Sequence, residues 1–186
     1  MPVEEARNIR ALLLASAPYA AIDPCIGDGS ALLEITSDTG THLAGIELDA
    51  DRAEAAKRNG VTTVHGSALE CRVPAESCSL LYLNPPYDSE FGPHSNKRME
   101  LVFLEHCYRW VTSEGVLVFV VSAPAVGTCA RLLASQFDRI ASFDSNIWSP
   151  SASTRSWCLA DERSRMCAVN PVPARSSPAH QVWSSM

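Results

Sequence analysis

Short apolar runs alternate along the chain with longer stretches in which apolar residues recur at helical spacing. The short runs predict strands over residues 19–22, 43–46, 61–64, 80–83, 116–121 and 140–143. The stretches between them predict helices over residues 4–14, 30–35, 51–59, 99–110 and 125–136. This alternation indicates an α/β fold with a mostly parallel sheet and right-handed crossovers.

The alternation stops near residue 144. Residues 145–186 contain ten Ser and four Pro, lack Lys, and carry three Trp with no sustained period of either kind. We therefore expect one α/β domain over residues 1–144 and an irregular, Ser/Pro/Arg-rich tail over residues 145–186. Because the composition changes abruptly, we hypothesise that the tail is frameshifted, eroded or disordered.

Charge and composition narrow the possible functions. The net charge of the 186 residues is −6, but residues 1–144 carry 11 Lys/Arg against 19 Asp/Glu, or −8. This balance disfavours a broad hold on phosphates, so a nucleic-acid substrate would need a local basic patch or a partner. The seven cysteines have no C-x-x-C spacing, so we predict neither a metal site nor a disulfide framework. With no long apolar run and no signal-peptide pattern, we expect a cytoplasmic protein without a membrane segment.

The predicted strand at residues 80–83 ends on Asn84, Pro85, Pro86 and Tyr87. The two prolines fix their own φ angles and lack N–H groups, so the carbonyls around Asn84 are held stiffly without a neighbouring donor. Stiff acceptors beside a flat ring suit a planar amine. The alternative is that the prolines only end the strand, and Tyr87 only packs against a loop.

Polar residues also follow the earlier strands. Asp23 and Pro24 open a loop with Gly27 and Gly29 between a strand and a helix, where glycine lets the backbone approach a ligand closely. Glu47 ends the next strand, where a carboxylate can accept ribose hydroxyls. Because the carboxyl ends of parallel strands meet at one edge, we expect these residues to converge with Asn84 and with Ser67, which follows the third strand.

The series D-P-x-x-G-x-G, G-I-E-L-D, G-S-A-L and N-P-P-Y, in this order, resembles the S-adenosylmethionine-dependent methyltransferases that methylate amino groups, especially the N6-adenine DNA methylases. It also resembles a bacterial group of methyltransferase-like proteins related to them. The resemblance covers residues 2–143. It implies the Rossmann-like, doubly wound sheet of the class I methyltransferases, with S-adenosyl-L-methionine as cofactor.

The resemblance also implies a role for each motif. The methionine part of the cofactor would lie against Asp23, Pro24 and the Gly27–Gly29 loop, and the ribose on Glu47. The adenine would lie near Leu48, Ser67 and Ala68. The position of Ser67 is more often Asp in the resembled enzymes, and because a hydroxyl accepts without charge assistance, cofactor affinity would be lower.

The implied chemistry is methyl transfer to an exocyclic amino group, most readily adenine N6 in DNA. Asn84 Oδ1 and the Pro85 carbonyl would accept the two N–H groups of the substrate and stabilise the developing positive charge. Tyr87 would stack on the base after it is flipped from the duplex. The loop that follows contains Lys97 and Arg98, which either contact a phosphate or form a solvated surface.

Two departures from the resembled enzymes shape the expectations. A short aromatic segment of the Y-P-T-P type covers the cofactor in those enzymes, and we expect this chain to lack it because the sequence starts at Met1-Pro2. We also expect the antiparallel strands at the C-terminal end of the sheet to be incomplete, which would expose a sheet edge.

Two alternative functions stay open at this point. The same residues could methylate a protein glutamine or an RNA base, since N-P-P-Y also serves glutamine side chains in release-factor methyltransferases. The chain could instead be a catalytically impaired, cofactor-binding remnant that needs a partner, such as a separate recognition subunit.

Overall fold

The computed structural model describes residues 3–15, 18–37, 42–86, 98–144, 155–161 and 168–169. Within these residues the helices are α1 (Val3–Arg10), α2 (Ser30–Thr36), α3 (Ala50–Arg58), α4 (Met99–Cys107) and α5 (Ala123–Gln136). The strands are β1 (Leu14–Ala15), β2 (Ala20–Asp23), β3 (His42–Glu47), β4 (Thr62–His65), β5 (Cys78–Leu83), β6 (Val111–Ser122), β7 (Arg139–Asp144), β8 (Arg155–Asp161) and β9 (Ala168–Val169). A 3₁₀ turn, Tyr108–Trp110, joins α4 to β6.

Seven of these strands form one sheet in the order β4-β3-β2-β5-β6-β8-β7. The pairs that join β4, β3, β2, β5 and β6 are all parallel. Along the chain, β3 and β4 are added on one side of β2, and β5 and β6 are then added on its other side. The prediction of a doubly wound, mostly parallel α/β fold is therefore confirmed. In such a sheet, ligands bind at the carboxyl ends of the strands, at the point where the strand order reverses. Here that point lies between β2 and β5.

Strand β8 lies in the stretch for which the sequence predicts an irregular tail. It pairs antiparallel with β6, from Val116↔Asp161 to Ser122↔Arg155, and antiparallel with β7 on its other side. The expectations of incomplete antiparallel strands and of an exposed edge along β6 are therefore wrong. One of its two partners, β6, lies far away in sequence, and this tertiary context outweighs the Ser-rich surroundings of β8. The boundary at residue 144 and the frameshift hypothesis stay predictions.

Two other elements begin or end away from their predicted positions. Helix α1 ends at Arg10, and the chain continues into β1, where Leu14 pairs with Ala168 of β9. Strand β6 begins at Val111, five residues before the predicted start. Its first part carries polar residues and pairs with β5 only through Val111 and Cys78, so no apolar run marks it in the sequence.

The sheet is covered on both faces, so its central strand is buried on both sides. Every residue of β5, Cys78–Leu83, is buried, as expected for a central strand of a parallel sheet. Leu83 belongs to a core cluster with Phe103 of α4. Tyr82 belongs to a second cluster, with Ile9 of α1. Because successive side chains of a strand point to opposite faces, β5 joins two separate cores and holds its carboxyl end rigidly.

Helices α1 and α2 are in contact, and both contribute residues to the same core cluster on one face of the sheet. Arg7 Nε and Arg10 Nη1 donate to Glu34 Oε1 at 3.1 and 3.2 Å, and Arg10 also donates to Ser37 Oγ just beyond α2. These contacts bring the C-terminal ends of the two helices together. The N-terminal end of α1 therefore lies at the same end of the sheet as the start of α2.

Candidate active site

The sheet order brings the four predicted strand ends together. Strands β4, β3, β2 and β5 are consecutive neighbours, and all four are parallel. In the register, Asp23 lies opposite Gly45 and Glu47 lies opposite His65. Asn84 follows β5, the strand beside β2. The polar residues that end β3, β2 and β5, with Ser67 just beyond β4, therefore line one edge of the sheet.

The loop between β2 and α2 folds over the end of β3. The Ile26 N–H donates to the carbonyl of Ile46 at 3.0 Å, which fixes the loop to that strand. Gly27 has φ +60°, and a Cβ built on it would meet no atom within 4 Å. Gly29 has φ +84°, and a Cβ there would lie 3.1 Å from Val61 Cγ2. Gly29 thus serves the close approach of α3 and β4 to the loop, whereas Gly27 borders open space that a ligand can enter.

The Glu47 carboxylate is buried at the end of β3, with 6% of the residue exposed. Its Oε2 accepts from the Gly27 N–H at 2.8 Å, and its Oε1 accepts from the Asp49 N–H at 2.9 Å and from Arg52 Nη2 at 2.8 Å. A carboxylate has about four lone-pair positions, so Oε2 can accept one further donor. Because the Arg52 side chain is 61% exposed, it can move aside and release a second position.

Asp23 ends β2 as a buried carboxyl group, 1% exposed. Its Oδ1 accepts from the Cys25 N–H at 2.7 Å. Burial raises the pKa of Asp23 from its ordinary 3.8 to about 8; the hydrogen bond from Cys25 opposes this shift and the Glu47 carboxylate adds to it. Asp23 therefore holds a proton at neutral pH unless a cation lies close enough to favour the charged form.

The residues predicted to lie near an adenine surround the ends of β3 and β4. Leu48 is 71% exposed although it is large and apolar. Its carbonyl lies 3.1 Å from His65 Nε2. Ser67 is half-buried and Ala68 is buried, and their carbonyls accept the N–H groups of Glu70 and Cys71. The structure thus places an exposed apolar side chain beside Glu47, where a flat ring can pack.

The residues predicted to hold the substrate amine stand at the end of β5. Asn84 is half-buried, Pro85 is buried and Pro86 is exposed. Their position beyond a strand buried on both faces fixes the backbone around Asn84. Tyr87 and Lys97 lie outside the described residues.

A buried ion pair near this edge is not predicted from the sequence. Glu100 of α4 is fully buried and accepts from Arg98 Nε and Nη2 at 3.2 and 2.8 Å and from Ser122 Oγ at 2.8 Å. Burial alone would raise the pKa of Glu100, but the hydrogen bonds from Arg98, from its own backbone and from Ser122 hold it below the usual range. Arg98, predicted to contact a phosphate or solvent, is thus tied to the protein. No clear signal in the sequence marks this pair, since α4 also carries a second acid, Glu105, which is exposed.

Cys25 lies in the glycine loop but is not poised as a nucleophile. Burial raises the pKa of its thiol above the ordinary range, with a further contribution from Asp23, so the thiolate is scarce at neutral pH. Among the residues that the structure describes, no group of three or more His, Cys, Asp or Glu side chains could hold a metal ion. The described helices include none with the length and apolar character needed to cross a membrane.

Solved structures with this fold are methyltransferases of several kinds. The methyltransferase subunit of a type I restriction-modification system from Streptococcus thermophilus superposes with a TM-score of 0.70 at 17% identity, over 89% of this chain and 45% of that one. An Agrobacterium tumefaciens protein described as a predicted O-methyltransferase gives 0.66 at 14% identity, over 95% and 93% of the two chains. A Listeria monocytogenes protein assigned to the class I S-adenosylmethionine-dependent methyltransferases gives 0.63 at 14% identity, over 84% and 59%.

These likenesses establish the fold of the class I methyltransferases. This chain spans about half the length of the Streptococcus subunit. No curated protein matches the sequence significantly. The profile of a family described as an uncharacterised methyltransferase family, DUF6094, matches residues 4–147. The chain therefore belongs to this methyltransferase family.

Proposed function

We propose that this protein transfers a methyl group from S-adenosylmethionine to an exocyclic amino group, most readily N6 of adenine in DNA. The observation that carries the proposal is the position of Asn84 and Pro85 at the end of β5, beside the glycine loop and Glu47. A planar amine held at this edge would lie next to the place proposed for the cofactor.

Several features of the residues at this edge of the sheet support the proposed cofactor site. Open space beside Gly27 admits a ligand close to the backbone. Asp23 can lose its proton and become negatively charged when a cation approaches. Glu47 Oε2 can accept a hydrogen bond from one ribose hydroxyl in addition to the Gly27 N–H. If Arg52 moves away, Glu47 Oε1 can accept the second hydroxyl. Leu48, Ser67 and Ala68 would border the adenine. When bound, S-adenosylmethionine supplies an electrophilic methyl carbon on a positively charged sulfur.

The protein's contribution to the reaction is to stabilise positive charge on the substrate nitrogen. A conjugated amino nitrogen is a poor nucleophile because its lone pair is delocalised. Asn84 Oδ1 and the Pro85 carbonyl would accept its two N–H groups, and these hydrogen bonds strengthen as the nitrogen becomes tetrahedral and positive. No strong base is needed before transfer, and Tyr87 and Pro86 would border the substrate ring.

DNA as the substrate rests on the resemblance of the motifs and on the restriction-modification subunit among the structural neighbours. The acidic residues 1–144, with a charge of −8, argue that a separate recognition subunit or domain would hold the phosphates. The same charge favours a second candidate, a protein glutamine, whose carboxamide presents the same planar NH₂ group to Asn84. An RNA base is possible by the same chemistry, and we place the reaction in the cytoplasm.

Incubation with tritiated S-adenosylmethionine and a panel of DNA, RNA and protein tests the substrate. We expect label in DNA at adenine. Label found only in protein would contradict DNA as the substrate and would favour a protein glutamine instead. Absence of calorimetric heat with millimolar cofactor would instead favour a remnant that requires a partner.

Two variants test the roles assigned to the site. We expect Glu47→Ala to abolish most cofactor binding, and Asn84→Ala to preserve binding while removing turnover. Glu54→Ala on the exposed face of α3 is the matched control for the loss of a carboxylate. Equal loss of binding in the Glu47 and Asn84 variants would contradict these roles.

A further inference from the structure

One buried carboxylate oxygen lacks a partner among the described residues. Glu5 of α1 is 4% exposed, and its Oε1 accepts no hydrogen bond. A buried polar atom without a partner costs roughly 1–3 kcal/mol, so native proteins retain one only for a reason. The neighbouring acid, Glu4, is exposed to solvent. The two glutamates of the first turn therefore have different environments, and only one needs an explanation.

The position of α1 places Glu5 at the cofactor end of the sheet. Arg10, at the C-terminal end of α1, contacts Glu34 and Ser37 at the C-terminal end of α2. This pairing of the C-terminal ends indicates that the two helices run in the same direction, so we infer that the first turn of α1 lies towards the start of α2, where the glycine loop ends. Glu5 lies four residues before Ile9 and so shares its face of the helix. Ile9 belongs to the core cluster that contains Ile26 of the glycine loop.

The chemistry of the unpaired atom identifies the kind of ligand. A carboxyl oxygen accepts hydrogen bonds from N–H and O–H donors, and the strongest of these come from donors that carry a positive charge. Beside the glycine loop, the ligand expected from the proposed function carries two positive groups, an α-ammonium and a sulfonium. Only the ammonium has N–H donors.

We infer that Glu5 binds the cofactor by accepting a hydrogen bond from the α-ammonium group of its methionine part. The inference rests on the proposed function and adds a residue on α1 to those at the strand ends. In the proposed function the methionine part also lies against Asp23, at the end of β2. The methionine end would then be held between a helix and a strand end, and the substrate crevice would lie beyond it.

Binding of three related nucleosides to the Glu5→Gln variant tests the inference by calorimetry. S-adenosylmethionine and S-adenosylhomocysteine both carry the ammonium, whereas 5′-methylthioadenosine lacks the amino-acid part. We expect affinity for the first two to fall by about 10- to 100-fold, the range of a hydrogen bond to a charged group. Affinity for 5′-methylthioadenosine should stay within about twofold.

Other outcomes overturn the inference in distinct ways. Loss for S-adenosylmethionine alone would place Glu5 at the sulfonium, and equal loss for all three nucleosides would assign it a structural role. Glu4→Gln is the matched control and should bind all three as the wild type does. Glu5→Leu removes the acceptor while filling the site with apolar atoms, and unfolding of both Glu5 variants would also mean a structural role. Absence of binding by the wild-type protein would contradict the proposed function as well.

Discussion

The buried carboxyl of Asp23 predicts an unusual dependence of stability on pH. In the folded protein its pKa is raised to about 8, chiefly by burial, whereas its ordinary value is 3.8. The folded state therefore binds the proton more tightly than the unfolded state between these values. The stabilisation that the protonated group contributes is complete below about pH 4 and is lost as pH rises towards 8.

The size of this effect follows from the shift. Each unit between the folded and unfolded pKa values corresponds to about 1.4 kcal/mol of unfolding free energy. From pH 5 to pH 8, Asp23 should therefore cost the wild-type protein about 4 kcal/mol. Asp23→Asn keeps an acceptor for the Cys25 N–H but has no proton to lose. This variant should be more stable than the wild type at pH 8 and similar to it at pH 4.

Urea unfolding of the wild type and Asp23→Asn at half-unit pH intervals measures this difference directly. The gap between the two free energies should widen as pH increases and become constant above about pH 8. Asp28→Asn is a control with the opposite sign. Hydrogen bonds from the Ser30 side chain and backbone lower the pKa of Asp28, so its stabilisation is lost as pH falls. Parallel curves for the wild type and Asp23→Asn from pH 5 to 8 would refute the assignment of a neutral Asp23.

Three further substitutions test close packing and the buried ion pair. Gly45→Ala would put a Cβ 2.6 Å from Ile26 Cβ, so we expect the free energy of unfolding in urea to fall by about 1–3 kcal/mol. Cofactor binding should also weaken, because the glycine loop must shift. Gly127→Ala adds a Cβ inside α5 that meets no atom within 4 Å, so it should instead raise the free energy of unfolding by about 0.5–1 kcal/mol. Equal effects of the two glycine substitutions would contradict this account. Glu100→Gln leaves Arg98 without its carboxylate and should destabilise by about 3 kcal/mol at pH 7. This difference from the wild type should shrink only as pH falls below the ordinary glutamate pKa and through the lower pKa of the folded protein. A difference independent of pH would oppose a charged Glu100.

The parallel part of the fold and the order of the strand ends could be predicted from the sequence because the signals are local. The apolar run at Leu80–Leu83 marks a strand buried on both faces, and the glycine loop marks a turn with positive φ at Gly27. Strand β8 has no such signal, since it lies between β7, the preceding strand in the chain, and β6, which lies far away in sequence.

The burial of individual acidic residues could not be predicted from the sequence either. Glu5 and Glu100 are buried in the structure, and nothing in the sequence predicts this. Burial depends on how α1 and α4 lie on the sheet, and helical period alone does not specify that. The roles of Asp23, Glu47 and Asn84 stay predictions, although the fold brings the ends of their strands together.

The placement of β8 also constrains the order in which the sheet can form. Strands β6 and β7 are separated in the sheet by β8, although β8 follows both of them in the chain. During synthesis, β7 therefore has no partner until residues 155–161 have emerged, and β6 has one unpaired side until then. An unpaired side with hydrogen-bonding groups and apolar residues is open to association with other chains. Insertion of β8 is thus the step that closes the domain, and the nascent chain is most exposed to aggregation just before it.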